Sequence, residues 1–485
     1  MKNLRTAVVR CLSRSIIKPH LTKQTRPHRE QQQTCHLTPW GLSLISAHYI
    51  QMGLLFAKPQ PLPSVGNTKV VSRTIVDQLK LSLSQTLTHF LPLTGRFVTN
   101  RCDDPPSYSI SIDYTNNDSS EGVEFIHAAA PVTLDEILSS VYVPPIVRSF
   151  FASYDNEEMA TINHDGHTIS LLSVQVTELL DGYFIGCSVN HAVVDGNSFY
   201  HFLSMWAEIC RRKGNDIELI SRPPIIKGTF HKKKKKKNNN NNNNNNAIVN
   251  LPFCHPNEFI GRYPPPPLAE KIFHFSGQSM SKLKTQANNE CRTNKISAFQ
   301  SLSALVWRSL ARARCLLEDE ETSCTICIDD RWRLDPSMSR DNFGCYMNTL
   351  VVKTKVRELL HNNLGASALA LHDAVAGHTD ESIRRWFNDW KKTPKISLLG
   401  PQYDQCTMLV GGSPRFDAYG CDFGWGKPMA VRSGWTFKFS GNVWAYPGRD
   451  SNGSVDLEIC LSPTTMSALE CDEEFMNAVT IKDAF

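Results

Sequence analysis

The sequence predicts an α/β protein, because strand-like runs alternate with helix-like segments along a chain long enough to bury a large core. The chain has 485 residues, of which 41% are hydrophobic. This length is typical of two or three domains. Segments with the composition of strands lie at residues 323–329, 348–353 and 455–461, and helix-like segments lie at residues 366–376 and 381–391.

The first third of the chain contains a helix followed by extended segments. Residues 72–90 carry apolar side chains at the spacing of one helix face, namely Ile75, Leu79, Leu83 and Leu87. An extended segment then starts at Phe97 and is broken by the Asp-Asp-Pro-Pro run at residues 103–106. Ile110 and Ile112 alternate with polar residues, which predicts another strand.

A proline run at residues 263–267 predicts an exposed loop before a strand at residues 271–275. Residues 297–314 predict a core helix with a basic last turn that complements the helix dipole. Its apolar face holds Leu302, Leu305, Val306 and Leu310.

A histidine follows a strand-like run at residues 183–190 and begins the segment His191-Ala192-Val193-Val194-Asp195-Gly196. Gly196 permits a sharp turn, and Asn197 or Ser198 can cap a helix over residues 198–211. The buried side of that helix would hold Phe199, Phe202, Leu203, Trp206, Ile209 and Cys210. A strand, loop and helix in this order can direct an imidazole into a cleft.

A second motif, Asp422-Phe423-Gly424-Trp425-Gly426, contains two glycines around an aromatic residue. Its spacing does not match a phosphate-binding loop. We expect a structural role, in which Gly424 and Gly426 allow unusual backbone angles, Trp425 packs and Asp422 anchors the turn.

Together, HAVVDG and DFGWG resemble the motifs of the plant BAHD acyl-CoA-dependent acyltransferases, in the same order and more than two hundred residues apart. The resemblance extends from about residue 16 to the C-terminus, with one interruption. Residues 8–19 are similar to the first strand of the family, which ends in a Lys-Pro pair. Other matching segments are Leu37-Thr38-Pro39-Trp40, residues 90–96, Arg331-Trp332-Arg333 and Phe343-Gly344.

The resemblance implies two chloramphenicol-acetyltransferase-like domains, each a mixed β-sheet packed by helices, with the active site in a channel at their interface. The expected domains are residues 8–225, which carry HAVVDG, and residues 263–485, which carry DFGWG. A crossover linker at residues 226–262 would join them. It contains six Lys and nine Asn at residues 232–246, a composition that cannot bury apolar surface. This tract is a flexible loop, a nuclear-import patch or an artefact of the gene model.

The resemblance also implies acyl transfer from acyl-CoA to the hydroxyl or amine of a small molecule. Such a reaction needs a base that removes the proton of the acceptor, and a neutral imidazole with an ordinary pKa of about 6.5 can do so. His191 is the expected base, with no covalent acyl-enzyme. Acyl-CoA is then a co-substrate, and no permanently bound cofactor is expected.

Two roles are open for Asp195. It could orient the imidazole in a catalytic dyad, or it could pair with an arginine and hold the loop that presents His191. The family resemblance favours the second role, with Arg331 or Arg333 as the partner. Loss of one member of a buried ion pair costs roughly 3–5 kcal/mol, so Asp195→Ala should weaken folding as well as rate.

Stabilisation of the tetrahedral intermediate needs donors directed at its oxyanion. The family often has a hydroxyl residue and a tryptophan about ten positions before DFGWG, whereas this chain has Gly411-Gly412-Ser413-Pro414. Ser413 is a candidate donor. Lys427 is a candidate contact for a coenzyme A phosphate. Cys345 stands where the family often has asparagine, which could reshape the acceptor pocket.

The charge gives no support to nucleic-acid binding. The net charge is +5, and subtraction of the six lysines at residues 232–237 leaves −1 for the rest of the chain. A basic groove interleaved with aromatic residues would be needed for nucleic acid, and a homopolymer run is not one.

Fifteen cysteines scattered through a chain without a signal sequence are typical of reduced thiols. Cys324 and Cys327 form the pattern Cys-x-x-Cys, but a strand directs positions i and i+3 to opposite faces. We therefore expect no metal site.

No apolar run is long enough to span a bilayer, and none near the start resembles a signal peptide. The first 35 residues carry eight Lys or Arg against one acidic residue, as organelle transit peptides do. Because residues 8–19 are similar to the first strand of the family, we do not expect a transit peptide. We expect a monomeric protein in the cytoplasm.

The two ends of the matching region, residues 37–56 and 455–475, look most like poorly characterised plant members described as acetyltransferases, some tied to cuticle or phenolic metabolism. Two rival functions stay open. The first is a catalytically silent protein that binds acyl-CoA or a metabolite on the same fold. The second is a lyase or hydrolase that reuses the pocket without coenzyme A.

Overall fold

The computed structural model describes residues 7–20, 34–59, 68–114, 122–152, 160–212, 220–226, 249–264, 266–398, 404–450 and 452–480. The tract at residues 232–246 lies outside these ranges. The strands are β1 Arg10–Ile17, β2 Thr34–His36, β3 Ile50–Ala57, β4 Arg96–Asp103, β5 Pro106–Asp113, β6 Val123–Ala129, β7 Leu172–Glu178, β8 Gly182–Val189, β9 Ala269–Phe275, β10 Glu321–Asp329, β11 Met347–Lys355, β12 Thr407–Gly412, β13 Ala430–Ser433, β14 Asn442–Pro447 and β15 Val455–Leu461. The α-helices are α1 Pro39–Ser43, α2 Thr68–Leu87, α3 Leu134–Leu138, α4 Gly196–Arg211, α5 Gly277–Glu290, α6 Ala298–Ala313, α7 Val356–His361, α8 Leu364–Gly377, α9 Asp380–Lys392, α10 Pro463–Leu469 and α11 Glu473–Ala478.

The strands form two six-stranded mixed sheets and one small sheet. The first sheet has the order β1-β6-β7-β8-β3-β13, and the second has the order β11-β10-β12-β14-β15-β9. Each of these sheets contains both parallel and antiparallel pairs. The small sheet has the order β2-β5-β4. The predicted α/β class with two mixed sheets and packed helices is confirmed.

Helices cover each large sheet with apolar faces. On the first sheet, α2 and α4 pack against each other in one core. The predicted helix stripe in α2 and the predicted buried face of α4 both lie in this core. On the second sheet, α5, α6 and α8 pack in a separate core. The strands and helices predicted from residue 271 onward are confirmed within a few residues at each end.

The two cysteines of the Cys-x-x-Cys pattern belong to different cores, as the strand period predicts. Cys324 lies in the core of the second sheet, whereas Cys327 packs on the opposite face of β10. The fifteen cysteines are all free thiols. None of the described helices is long and apolar enough to cross a lipid bilayer.

Strand β13 connects the two halves of the chain. It comes from the C-terminal part of the sequence, yet it pairs with β3 at the edge of the first sheet. The predicted division into residues 8–225 and 263–485 does not include this crossing. Those boundaries stay a prediction.

A buried ionic cluster holds the two sheets together around Lys438. Its ammonium group contacts Glu270 on β9 and lies 2.7 Å from Glu458 on β15. On the side of the first sheet, Ser433 donates to Glu458 at 2.5 Å. Burial would raise the pKa of Glu458, but Lys438 and the bonds from Ser433 hold that pKa below its ordinary value.

Replacement of Lys438 by methionine should destabilise the protein, because it leaves Glu458 buried without a cation and Glu270 with only the partly exposed Arg148. We expect a loss of about 3–5 kcal/mol in the free energy of unfolding. Urea denaturation of Lys438→Met measures it. Lys353→Met is the matched control, since Lys353 pairs with Glu321 on the surface, and it should unfold as the wild type does. Equal stability of the two variants would contradict the role of the cluster.

Candidate active site

The loop that carries His191 is fixed by two asparagines. The backbone N–H of His191 donates to Asn163 Oδ1 at 2.7 Å, and Asn163 Nδ2 donates to the carbonyl of Leu44 at 2.7 Å. Asn190 Nδ2 donates in turn to the carbonyl of Asn163 at 2.8 Å. All of these groups are buried, and asparagine side chains satisfy the backbone N–H groups of His191 and Ala192 in the loop between β8 and α4.

The imidazole of His191 is held in one tautomer. Its Nδ1 lies 2.9 Å from the carbonyl oxygen of Val194. Because a carbonyl only accepts, Nδ1 carries the proton and Nε2 keeps its lone pair. Burial lowers the pKa of His191, and the Val194 carbonyl and the Asp195 carboxylate offset only part of that effect. The side chain is therefore neutral near pH 7, with Nε2 able to accept a proton.

The carboxylate of Asp195 bonds to groups other than the imidazole. Oδ1 accepts from the backbone N–H of Ser198 at 2.9 Å and caps α4. Oδ2 accepts from Arg331 at 2.7 Å and from the backbone N–H of Tyr346 at 2.9 Å. This geometry does not fit a catalytic dyad. It also corrects the predicted cap, which lies at Asp195 and not at Asn197 or Ser198.

Arg331 follows β10 and is fully buried. Its guanidinium group has five N–H donors, and the structure supplies five acceptors. These are Asp195 Oδ2, Asp329 Oδ1, Ser198 Oγ and the carbonyls of Asn342 and Gly344. Burial would lower the pKa of Arg331, but the two carboxylates raise it above its ordinary value. The cation also lies over the ring of Tyr346, 4.5 Å from its centroid.

Arg333 does not reach Asp195, which corrects its inclusion among the supports of this loop. Its guanidinium donates to the carbonyls of Val375 and His378 at 2.7 and 2.9 Å, at the C-terminal end of α8. Both arginines lie in the turn that follows β10, where the side-chain alternation of a strand no longer applies, and only Arg331 contacts the loop.

Gly196 has a different function from the predicted turn. It is the first residue of α4. The ring of Phe416 lies against it, and a Cβ atom at position 196 would come within 2.6 Å of that ring. Glycine is needed here for close packing rather than for a sharp turn.

An aromatic wall stands beside His191. The ring of Phe437 lies 6.2 Å from the imidazole, and Trp444 lies 6.1 Å from Phe437, both measured between centroids. Phe437 has φ +58, a left-handed conformation that costs a non-glycine residue roughly 1–2 kcal/mol. Its N–H donates to His48 Nδ1 at 3.0 Å, and burial lowers the pKa of His48 to about 4, which keeps that nitrogen an acceptor.

The DFGWG motif forms a tight turn. Asp422 Oδ1 accepts from the N–H groups of Gly424 and Gly426 at 2.8 and 3.0 Å. Both glycines have positive φ, of +107 and +116. Phe423 is fully buried and stacks on Trp425 with centroids 5.7 Å apart. The contacts of these residues are structural, and Lys427 after them is exposed.

Residues 413–426 follow β12 and lie along α4, and we call them the α4 strap. At the start of the helix, Phe416 stacks on Tyr200 with centroids 4.9 Å apart. At its end, Arg211 donates to the carbonyl of Asp422 at 2.9 Å. Sixteen residues of helix span about 24 Å, so DFGWG lies far from His191.

Ser413 begins the turn of the strap, where its hydroxyl oxygen accepts from the N–H of Arg415 at 3.2 Å. Its role as an oxyanion donor stays a prediction. Cys345 lines a cavity of about 30 Å³ together with Thr38 and Ala192, large enough for one water molecule.

Several residues of the site were not predicted from the sequence. Asn163 lies 28 residues before His191, outside any motif, and Phe437 and Trp444 carry no local signal. Ser198 was considered only as a cap, whereas its hydroxyl accepts from Arg331 at 3.0 Å.

Replacement of Asp195 by asparagine should weaken folding, because one of the oxygen acceptors becomes an NH2 group that faces other donors. We expect a loss of about 3–5 kcal/mol, measured by urea denaturation. Asp341→Asn is the control, because Asp341 pairs with the partly exposed Arg222 and should cost under about 1 kcal/mol. An Asp195→Asn variant as stable as the wild type would contradict the role of the Asp195 carboxylate in holding the loop.

Known proteins match this chain along almost its full length. A model of the Transferase family matches residues 9–476. An uncharacterized acetyltransferase of Arabidopsis thaliana is 33% identical over 97% of this chain and 99% of its own length. BAHD acyltransferase DCR of Arabidopsis thaliana is 31% identical over 96% of this chain and 92% of its own length.

Two solved structures share the fold. Vinorine synthase has a TM-score of 0.70 at 19% identity and covers 97% of this chain and 98% of its own. TRI101 of F. sporotrichioides, complexed with coenzyme A and T-2, has a TM-score of 0.68 at 17% identity and covers 92% and 99%. Since the family model and the relatives above 30% identity span nearly the whole chain, the protein belongs to the Transferase family of BAHD acyltransferases.

Proposed function

We propose that this protein transfers an acyl group from acyl-CoA to a hydroxyl or amine of a small molecule, with His191 as the general base. The observation that carries the proposal is the tautomer of His191. Nδ1 donates to Val194, so Nε2 is the nitrogen with a free lone pair. Removal of the acceptor's proton as it attacks the thioester needs such a group, and the proton can then pass to the departing thiolate.

The surroundings of His191 support this role. The loop is anchored by Asn163 on one side and by Asp195 and Arg331 on the other. A base held by several bonds keeps its lone pair in one direction, which lowers the entropic cost of reaching the reactive geometry. Structural support by Asp195, Arg331 and the DFGWG turn is part of the proposal.

The co-substrate and the setting are proposed from the family. Acyl-CoA is the donor, no other cofactor takes part, and the protein acts as a monomer in the cytoplasm. Lys427 remains a candidate for a phosphate contact. The proposed acceptor comes from phenolic or cuticle metabolism, and one relative, the shikimate O-hydroxycinnamoyltransferase of Nicotiana tabacum, is 24% identical to this chain.

The first test is acceptor-dependent thiol release from a panel of acyl-CoAs with pooled alcohols and amines. In His191→Gln we expect the rate to fall by about 10²–10⁴-fold, because the base is lost while the volume is nearly kept. Calorimetry should show that the variant still binds the acyl-CoA that the wild type uses.

His127→Gln is the control, since His127 pairs with Glu178 and lies outside the loop, and it should keep the wild-type rate. Release that persists in folded His191→Gln would overturn the assignment of the base. Product formation without coenzyme A would favour the lyase or hydrolase alternative.

The pH dependence of kcat/KM should report the lowered pKa of His191. The base acts when neutral, so kcat/KM should rise with pH through an inflection below the ordinary value of about 6.5 and then stay level. Because the Asp195 carboxylate raises the pKa of His191, folded Asp195→Asn should move the inflection to lower pH. An inflection above 6.5 that is unchanged in the variant would count against His191.

A second candidate is a catalytically silent protein that binds acyl-CoA or a metabolite. The observation in its favour is the segment Gly411-Gly412-Ser413-Pro414, which stands where related enzymes often carry a hydroxyl residue and a tryptophan. Binding of acyl-CoA by folded wild type without thiol release in any pool would support this candidate.

A further inference from the structure

A cavity of about 300 Å³ lies where the two sheets meet, at a distance from His191. It is lined by β13 and the segment after α3 on one side and by β9, β15 and the residues after α11 on the other. Arg432 on β13 pairs with Gly53, which pairs with Gly186. Gly186 is thus two strands away from Arg432, and His191 lies five residues beyond Gly186 along the chain. The distance from Arg432 to His191 is therefore about 20 Å.

Arg432 lines this cavity and is buried, with 9% of its surface exposed. Its Nη1 donates to the carbonyl of the neighbouring Val431 at 2.8 Å, and its Nε is buried without a hydrogen-bond partner. Within the described part of the chain, no carboxylate lies within 4.0 Å of its guanidinium group. A buried cation without an anion is costly, so an anion from outside the chain would stabilise it.

The other charged groups of the cavity already have partners. Lys271 Nζ donates to Glu470 at 2.6 Å. Asp456 lies 2.5 Å from His274 Nδ1. Arg432 is therefore the group to which an added negative charge would bind.

The remaining walls of the cavity are mostly apolar, and they include Leu138, Val141, Phe273, Met429 and Val479. The volume is at the small end of the range for ligand pockets. One cation without a carboxylate partner, in a cavity whose other charged groups are paired and whose remaining walls are mostly apolar, fits a ligand with one negative group and an apolar body. A polyphosphate would need several cations and N–H donors.

We propose that this cavity is a second binding site, which takes a small organic monoanion, a carboxylate with an apolar body, through Arg432. The site is distinct from the chemistry at His191 and does not depend on the proposed acyl transfer. The carboxylate and the guanidinium would form a charge-assisted pair in which Arg432 Nε gains its missing acceptor.

The experiment uses trans-cinnamate and hexanoate as probes, with calorimetry on the full chain. We expect both to bind the wild type, and the neutral cinnamamide to bind at least tenfold more weakly, which corresponds to about 1.4 kcal/mol. Arg432→Gln should weaken the binding of the anions by at least tenfold. The Tm of that variant should not fall, because an unpaired buried charge is removed.

Two control variants complete the design. Lys271 lines the same cavity, but its ammonium group already pairs with Glu470. The Lys271→Gln variant should therefore keep wild-type affinity for both anions. If Arg432→Gln does not fold, Arg432→Lys is used, which keeps the charge and should retain binding of the anions over the amide.

Three outcomes would overturn the proposal. The first is wild type that binds neither anion, and the second is Arg432→Gln with unchanged affinity. The third is displacement of bound cinnamate by coenzyme A together with weaker coenzyme A binding in Arg432→Gln, since the cavity would then belong to the coenzyme.

Discussion

The buried guanidinium of Arg331 is the constraint on which the site depends. Removal of a cation from water is expensive, and the cost is met here because all five N–H groups find acceptors. Three of those acceptors, Asp329 and the carbonyls of Asn342 and Gly344, come from the same stretch as Arg331. The other two, Asp195 and Ser198, belong to the loop and the first turn of α4. The position of His191 is therefore set by a group from the other half of the chain.

The same helix is also held at its far end. The α4 strap contacts Tyr200 near the start of the helix and Arg211 at its last residue, and the DFGWG turn closes that end. The strap then leads directly into β13, which joins the first sheet. DFGWG thus fixes the position of α4, about 24 Å of rigid helix, and with it the loop that carries His191. A motif and a histidine that are distant in sequence are linked by one secondary-structure element.

Local patterns in the sequence predicted the strands and helices around the site, because the spacing of apolar residues within one segment determines them. The strand before His191 and the apolar face of α4 follow from periodicity, and the likeness to the family narrowed the partner of Asp195 to Arg331 or Arg333. The choice between those two needed the direction of each side chain after β10. Asn163 and Phe437 act through contacts between distant segments, which no local pattern records. Strand β13 was missed because four residues, AVRS, are too short to show alternation.

The edge position of β3 in the N-terminal part of the chain has a consequence for synthesis. One side of β3 pairs with β8, but its other side waits for β13, which begins at residue 430 and is made long after β3. Until then the apolar run IQMGLLFA presents a row of open backbone N–H and C=O groups. An open apolar edge can pair with another nascent chain. We therefore expect ribosome-bound chains that stop before residue 430 to need a chaperone, and chains that include β13 to lose that need as β13 covers the edge.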